Sequence, residues 1–560
     1  MNSSSALRED HAALGEPRQV DVHFHAANGR SGALAWGQQR VADLMADLRP
    51  DTTSLNLRLA WPIRAGATTE EVLDAIKEVM EACESIRTCY DPYAGADQQH
   101  VLAQGVIRVP VVASETASWS PAAAQEAAAE LASAEFGPDD LPIRMRILVD
   151  RDDPVFLVFA LCHLASDFLG IRRLLWHLRS VLNFSADPDA DGLETLHPLD
   201  IRAWEESEAG QLQGARALQR HERSLLRMPQ SMLPRLPIEP LYPRYQYVEI
   251  QTSAGSRCLS RLAERHGVSE TAVGHAVLCL ILAHASTLDR ASLQVCVGNR
   301  FDRGFAAAVA SLTQDVPTCI TVDDSDFDTL LRRSAGAVRQ ATMMGRFPHK
   351  GLVDARERAE VERGFPLDLS FWLNSRIYTP AKPASPTGEL IRDEAELDLD
   401  KTSVRWLGGE ISSTSSMFAY LDRFDDVLAL RTLVDTAYVT REEAEQWLRA
   451  FESILVTATL QHELGTLALA RSTGIAPFKP TSEWAQIDHS WIHLPTATER
   501  LCAALPGVAV RLAAETLDGE PSLVGIVSDP TPGRDADIIE ALRGCKVAMR
   551  PRRFVPEATA

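Results

Sequence analysis

No C-x-x-C pair occurs in the chain; its nine cysteines stand singly, and several, such as Cys279 and Cys296, fall in apolar runs. This argues against a zinc site and a disulfide framework, and for the reduced, packed thiols of a cytoplasmic protein. No apolar run approaches the ~18 residues of a membrane span. The opening MNSSSALREDHAALGEPRQ lacks a basic start followed by an apolar core, so export is not expected. Basic charge is scarce: 56 Lys and Arg face 77 Asp and Glu, a formal net charge of −21. Nucleic acid is therefore disfavoured as the main partner, because phosphate binding draws on a basic face. Also missing are G-x-x-x-x-G-K-[ST], G-x-G-x-x-G after a strand, G-x-S-x-G and H-E-x-x-H.

What is there is a globular composition, 45% hydrophobic and 24% charged, spread over 560 residues. That length exceeds what one core usually supports, so two or three packed units are expected. The stretch Val155 to Leu182 organises the chain. Val155 to Cys162 is a short apolar run, rich in Val and Phe, and reads as a buried strand. Ile171, Leu174, Leu175, Leu178, Val181 and Leu182 then follow helical spacing. His163 and Asp167 thus sit where a core strand gives way to a helix; on residues alone this is either a core histidine beside a carboxylate or a rigid place to hold a reactive imidazole. One His and one Asp supply only two ligands, so no metal is expected. His266, His275 and His284 recur at nine-residue steps, share no face and read as structural or surface residues.

Strands around Asp21–His25, Leu55–Trp61, Val101–Val112, Ile143–Val149 and Val155–Cys162 alternate with helices near 35–45, 70–85 and 122–134. This predicts an α/β lobe with a largely covered sheet, in which Thr69 caps the second helix. After the polar, Trp-anchored stretch 197–229, a second α/β lobe is expected. Its strands fall at Val248–Ile250, Leu293–Val297, Thr318–Val322, Leu367–Leu373 and Val427–Thr436; helices fall at 258–266, 270–286, 327–343 and 442–460. Tyr378–Glu389 reads as a surface loop, and a hairpin around Asp518-Gly519 with a helix at 535–542 closes the chain.

With both lobes laid out, the residues resemble the condensation domains of non-ribosomal peptide synthetases, within the chloramphenicol-acetyltransferase-like superfamily. Cys162-His163-Leu164-Ala165-Ser166-Asp167-Phe168 looks like a degenerate copy of that family's His-His-x-x-x-Asp-Gly. Ala35 to Val41 is similar to its S-x-A-Q-x-R-L, Ser85 to Tyr90 to its A-L-R-T-x-F, and Asp200 to Trp204 to its D-x-A-x-W. Val297 to Arg300 and Asp315 to Thr318 fall where it carries a V-G…R segment and N-T-L-P-L. The tail, about 480–560, resembles the C-terminal subdomain of adenylation domains without the catalytic lysine, and reads as a docking or structural remnant.

The resemblance implies two acyltransferase-like lobes in a V-shaped pseudo-dimer plus a small α+β unit. Residues 1–16 would be a disordered tail, 17–196 the first lobe, 197–229 a linker helix, 230–470 the second lobe and 480–560 the tail unit. It implies a free-standing, monomeric acyltransferase with no bound cofactor or metal and no membrane partner. An acyl thioester on a carrier protein's phosphopantetheine arm, or on CoA, would meet an amine or alcohol to give an amide or ester. His163 and Asp167 would be the catalytic pair, His163 as base or positioner and Asp167 as organiser. Arg300, or failing it Arg303, would reach Asp167 from the other lobe. Cys162, Phe168, Gly170 and Asp315 would line the tunnel. Cys162 replaces the first motif His, as a packing residue or a nucleophile. Phe168 replaces the motif Gly, which implies a small acyl group, room supplied by Gly170, or a closed site. The last of these favours a catalytically inactive module that recruits a carrier or tailoring enzyme.

Overall fold

A computed structural model describes residues 17–95, 98–114, 118–182, 195–377, 399–461, 464–517, 519–528 and 535–557. The chain divides into two compact units: the portion up to Leu212 together with Gly298–Gln314, and Gln213–Val297 together with Asp315–Ala560.

In the first unit, β1 (Arg18–His25) and β2 (Arg30–Gly32) precede α1 (Trp36–Leu48), β3 (Leu57–Pro62), α2 (Thr69–Ala82), β4 (Thr88–Tyr90) and β5 (Gln99–Val101). Then come β6 (Gln104–Ala113), α3 (Pro121–Ala132), β7 (Ile143–Asp150), β8 (Asp153–Leu161), α4 (Phe168–Val181) and α5 (Pro198–Glu206). α6 (Glu208–Leu225) carries the chain out of this unit. The main sheet runs β1-β6-β7-β8-β3, and β8 pairs antiparallel with both β7 and β3. β8 reads as an unbroken apolar run because both its faces are covered. Leu157, Phe159 and Leu161 enter a core with residues of α2 and α4, while Val158 enters a second core with Ala124, Ala127 and Ala128 of α3. α2 starts one residue earlier than the sequence pattern suggested. Thr68, not Thr69, is its cap: the Thr68 hydroxyl accepts from Glu71 N, and the Glu71 carboxylate accepts from Thr68 N at 2.7 Å.

The second unit begins with β9 (Tyr245–Thr252), α7 (Ser253–His266), α8 (Glu270–Ser286) and β10 (Arg290–Val297). The chain then lends the segment bearing α9 (Arg303–Ala306) to the first unit, and resumes with β11 (Gln314–Thr321), α10 (Phe327–Met343), α11 (His349–Arg363) and β12 (Phe371–Ser375). β13 (Ser403–Glu410), β14 (Met417–Phe424), β15 (Val427–Asp435), α12 (Arg441–Leu460) and α13 (Thr466–Ser472) follow. Its sheet runs β11-β10-β12-β14-β15-β9-β13. α8, apolar all round, is buried along nearly its whole length. Sequence periodicity missed α11, whose buried stripe is only Leu352, Ala355, Ala359 and Glu360, and β13, which is largely exposed. The 1–16 and Tyr378–Glu389 segments and Asp518 lie outside the described residues. Among the described residues no single helix is long and apolar enough to cross a membrane.

The tail comprises β16 (Trp484–Ile487), β17 (Ser490–His493), α14 (Leu494–Ala504), β18 (Val510–Leu517), β19 (Glu520–Val527), α15 (Asp535–Leu542) and β20 (Arg553–Pro556). The boundaries expected from sequence shift here. Residues 480–560 cluster with the second unit, because Ile492, Leu501 and Leu523 share a core with Leu225, Phe347 and Phe365. A buried ion pair pins the contact. Lys546 Nζ lies 2.5 Å from Asp368 Oδ2, donates to Ser416 Oγ at 2.7 Å and stands 4.9 Å from the Tyr438 ring centre. Burial works to raise the Asp368 carboxyl, but the Lys546 charge and the hydroxyls around it outweigh that and hold it below the usual range. Lys546→Met is expected to strand Asp368 as a lone buried charge and to cost about 3–5 kcal/mol, measured by guanidinium denaturation. Tryptophan fluorescence, which includes tail residues Trp484 and Trp491, should change in the same transition as far-UV circular dichroism.

Candidate active site

The motif turn grows directly out of β8. Cys162 N donates to Pro142 O at 2.8 Å, extending the strand's pairing by one step, and Ala165 N donates to Cys162 O at 3.0 Å to turn the chain. Strand alternation persists through the turn's start: Cys162 and Leu164 are buried and His163 between them is partly exposed. Asp167 is the N-cap of α4, accepting from Gly170 N at 2.8 Å.

Asp167 is also the hub of the site. Arg300 grips it with a two-pronged fork, Nη1 to Oδ2 and Nη2 to Oδ1, each at 2.9 Å. Oδ2 accepts further from Leu312 N at 3.0 Å, Thr313 N at 3.0 Å and Thr313 Oγ1 at 2.9 Å. Arg300 in turn donates to Gly298 O at 3.0 Å and Ala310 O at 2.8 Å, closing the 298–314 segment on itself. Burial would raise the Asp167 carboxyl; the Arg300 charge and the converging donors overcome this and hold it below the ordinary carboxylate range.

Two expectations change on this geometry. Asp167, paired with His163 as catalytic from sequence, has its oxygens taken by Arg300, Gly170, Leu312 and Thr313. Among the described residues it makes no hydrogen bond to the imidazole. The Arg300 partnership is internal to the first unit and not a bridge from the second, because the segment after β10 packs with the first. The Arg303 side chain lies outside the described residues.

His163 differs from His275, His284 and His266. Its Nδ1 is buried and has no hydrogen-bond partner among the described residues. His275, by contrast, is fully buried between Ser334 Oγ and Thr318 Oγ1, each at 2.9 Å, and burial pushes its pKa down to about 4. His284 Nε2 contacts Ile475 O at 3.1 Å, and His266 faces Asp328 at 3.5 Å.

Cys162 packs with Leu34, Val41 and Tyr90, and burial pushes its thiol up to about 11. Burial thus favours the neutral thiol at neutral pH, and its contacts are those of a packing residue. Phe168 is 41% exposed at the first turn of α4, outside the core, and His163 is partly exposed. Gly170 offers no room: a Cβ there would collide with Ser166 Oγ and lie 3.0 Å from Ala310 O. Its lack of a side chain lets α4 meet the 298–314 segment. Asp315 stands on β11 in the second unit, where its Oδ1 accepts from Cys296 Sγ at 3.3 Å.

Sequence comparison of fragments had no means of showing what joins them. Gln38, buried on α1, donates from Nε2 to Leu164 O at 3.0 Å and accepts from Ala35 N at 2.9 Å. Ser85 Oγ donates to Ala165 O. Two of the distant sequence fragments therefore converge on the motif turn and hold its carbonyls. Thr313 carried no sequence signal, since its role rests on a segment that returns 146 residues later.

Asp167→Asn should lower the melting temperature at pH 7, with a loss of about 3–5 kcal/mol from leaving Arg300 buried against a neutral partner. Because the folded carboxyl titrates below its unfolded value of about 3.9, its stabilisation is full above that pH. It is lost as pH falls through the folded value. The wild-type melting curve should therefore descend more steeply than the variant's on the acid side of pH 4, and parallel curves would contradict the assignment.

No family model matches the sequence, and no curated protein matches it. Solved structures do. The condensation domain of the monacolin K polyketide synthase MokA is similar at a TM-score of 0.60 and 15% identity, over 79% of this chain and 100% of that one. A condensation domain described as mediating chain release from the enacyloxin polyketide synthase scores 0.58 at 18% identity, over 79% and 85%. The X-domain from teicoplanin biosynthesis, in complex with OxyB, scores 0.57 at 16% identity, over 79% and 96%. The chain has the fold of these condensation domains.

Proposed function

We propose that the protein is a condensation-type acyltransferase of natural-product biosynthesis. It moves an acyl group from a thioester on a carrier protein's phosphopantetheine arm to an amine or alcohol, forming an amide or ester. The observation that carries this reading is His163: an imidazole on a rigid strand-to-helix turn, partly exposed and uncommitted to any protein partner among the described residues. A histidine placed for packing has its nitrogens satisfied, as His275 does.

The chemistry asked of it is modest. A thioester is already activated, so holding donor and acceptor together supplies most of the acceleration. The acceptor nitrogen or oxygen adds to the thioester carbonyl; the tetrahedral intermediate collapses by breaking the C–S bond and releasing the thiolate. His163 takes the proton that the nucleophile sheds and returns it to the departing sulfur. Asp167 and Arg300 hold the turn carrying the imidazole and touch no reactant. Cys162 leaves the imidazole as the only proton carrier of the motif.

A second reading rests on the same ring. Nothing described fixes the tautomer at Nδ1, as a tuned general base would require, and one of the similar folds is an X-domain held by OxyB. On that reading the protein recruits a carrier or a tailoring enzyme and does no chemistry. Carriers loaded with acyl thioesters, offered amines and alcohols and followed by mass spectrometry, separate the two. The transferase should form product, and His163→Ala should slow it by about 100-fold or more with carrier affinity unchanged. Carrier binding without turnover, equal in both proteins, would leave the recruitment reading standing. Turnover of acyl-CoA without any carrier would replace the carrier-bound donor by CoA.

A further inference from the structure

The first unit contains a cavity of about 490 Å³ beside the motif turn. Cys162 and Leu164 line it, and His163 between them does not. That volume falls within the range of small-molecule sites. Its inner part is apolar: Cys162, Leu164 and Tyr90 are buried there, with Met45 and Phe136 alongside. The wall is braced, since Cys162 N is tied to Pro142 O, and Pro142 also lines the cavity.

The rim carries both signs of charge. Arg49 contributes a guanidinium that lies 4.0 Å over the Tyr93 ring and pairs with no carboxylate among the described residues. Opposite in sign is Glu135, whose Oε1 accepts from Thr52 N at 2.9 Å and Thr52 Oγ1 at 3.0 Å while Oε2 takes no partner among the described residues. Asp91 accepts from Tyr93 N at 3.1 Å through Oδ1 only. Asp140 is already engaged, by Gly137 N at 2.9 Å and Arg144 at 3.7 Å. A cation that pairs with no carboxylate among the described residues, and carboxylate oxygens without partners among them, therefore rim an apolar floor.

We infer that this cavity is a second ligand site for a small zwitterion with an apolar side chain, an α-amino acid or close analogue. Its carboxylate would meet Arg49, its ammonium would meet Glu135 and Asp91, and its side chain would rest on the floor made by Cys162, Leu164 and Tyr90. His163 does not line this cavity, so the site is distinct from the one where acyl transfer is proposed and does not depend on that proposal.

Three near-isosteric probes test the charge pattern on the full chain by isothermal titration calorimetry: L-phenylalanine, phenethylamine and 3-phenylpropanoate. Phenylalanine should bind, and each singly charged probe should bind about tenfold or more weakly, since each leaves one rim charge unmatched. Glu135→Gln keeps an oxygen for Thr52 and should preserve the melting temperature while weakening phenylalanine about tenfold. Arg49→Gln should act likewise. His163→Ala should leave binding unchanged. Absence of phenylalanine binding, or amine binding as tight as the zwitterion's, would overturn the proposal. So would affinity insensitive to both rim variants, or loss of binding in His163→Ala, which would place the ligand at His163.

Discussion

A single buried carboxylate carries the architecture around the motif. Asp167 caps α4, receives both prongs of Arg300 and accepts from two successive backbone amides and a hydroxyl of the returning segment. A charge so deep would be intolerable alone; with these donors it becomes a joint that holds three chain segments in one arrangement. What the joint secures is the path of the backbone on either side of His163. Its contribution is geometrical, and the imidazole stays free of it.

That division of labour explains why an altered motif can keep its shape. Cys162 and Phe168 differ from the residues the family pattern carries, yet neither takes part in the Asp167 network. Cys162 continues β8 into the core as a neutral thiol, and Phe168 turns outward on the first turn of α4. Positions that must stay small or polar do so: Gly170 against Ala310, Gln38 beneath Leu164 and Ser85 beneath Ala165. The same alternation that leaves His163 partly exposed gives Cys162 and Leu164 to a cavity that His163 does not line. One strand end thus serves two environments.

The C-terminal segment shows the opposite relation between likeness and structure. Read as a string, it resembles a separate subdomain; packed, it has no core of its own apart from the second unit. Lys546 reaches into a polar nest of Asp368, Ser370 and Ser416, and apolar residues from the tail complete a cluster begun on α6 and α11.

The sequence by itself determined the α/β alternation, the covered strand read at Val155–Cys162, the almost wholly buried helix 270–286 and the strand-to-helix junction carrying His163 and Asp167. These are local properties, set by periodicity and by residue type over a few turns of chain. Tertiary structure alone decided which distant residues meet there. The grouping of 298–314 with the first unit, the spending of Asp167 on Thr313, the closure around Gly170 and the capture of the tail by Asp368 all join residues more than a hundred positions apart. No periodicity reports such contacts, because they arise from how whole elements pack and not from the residues that flank each one.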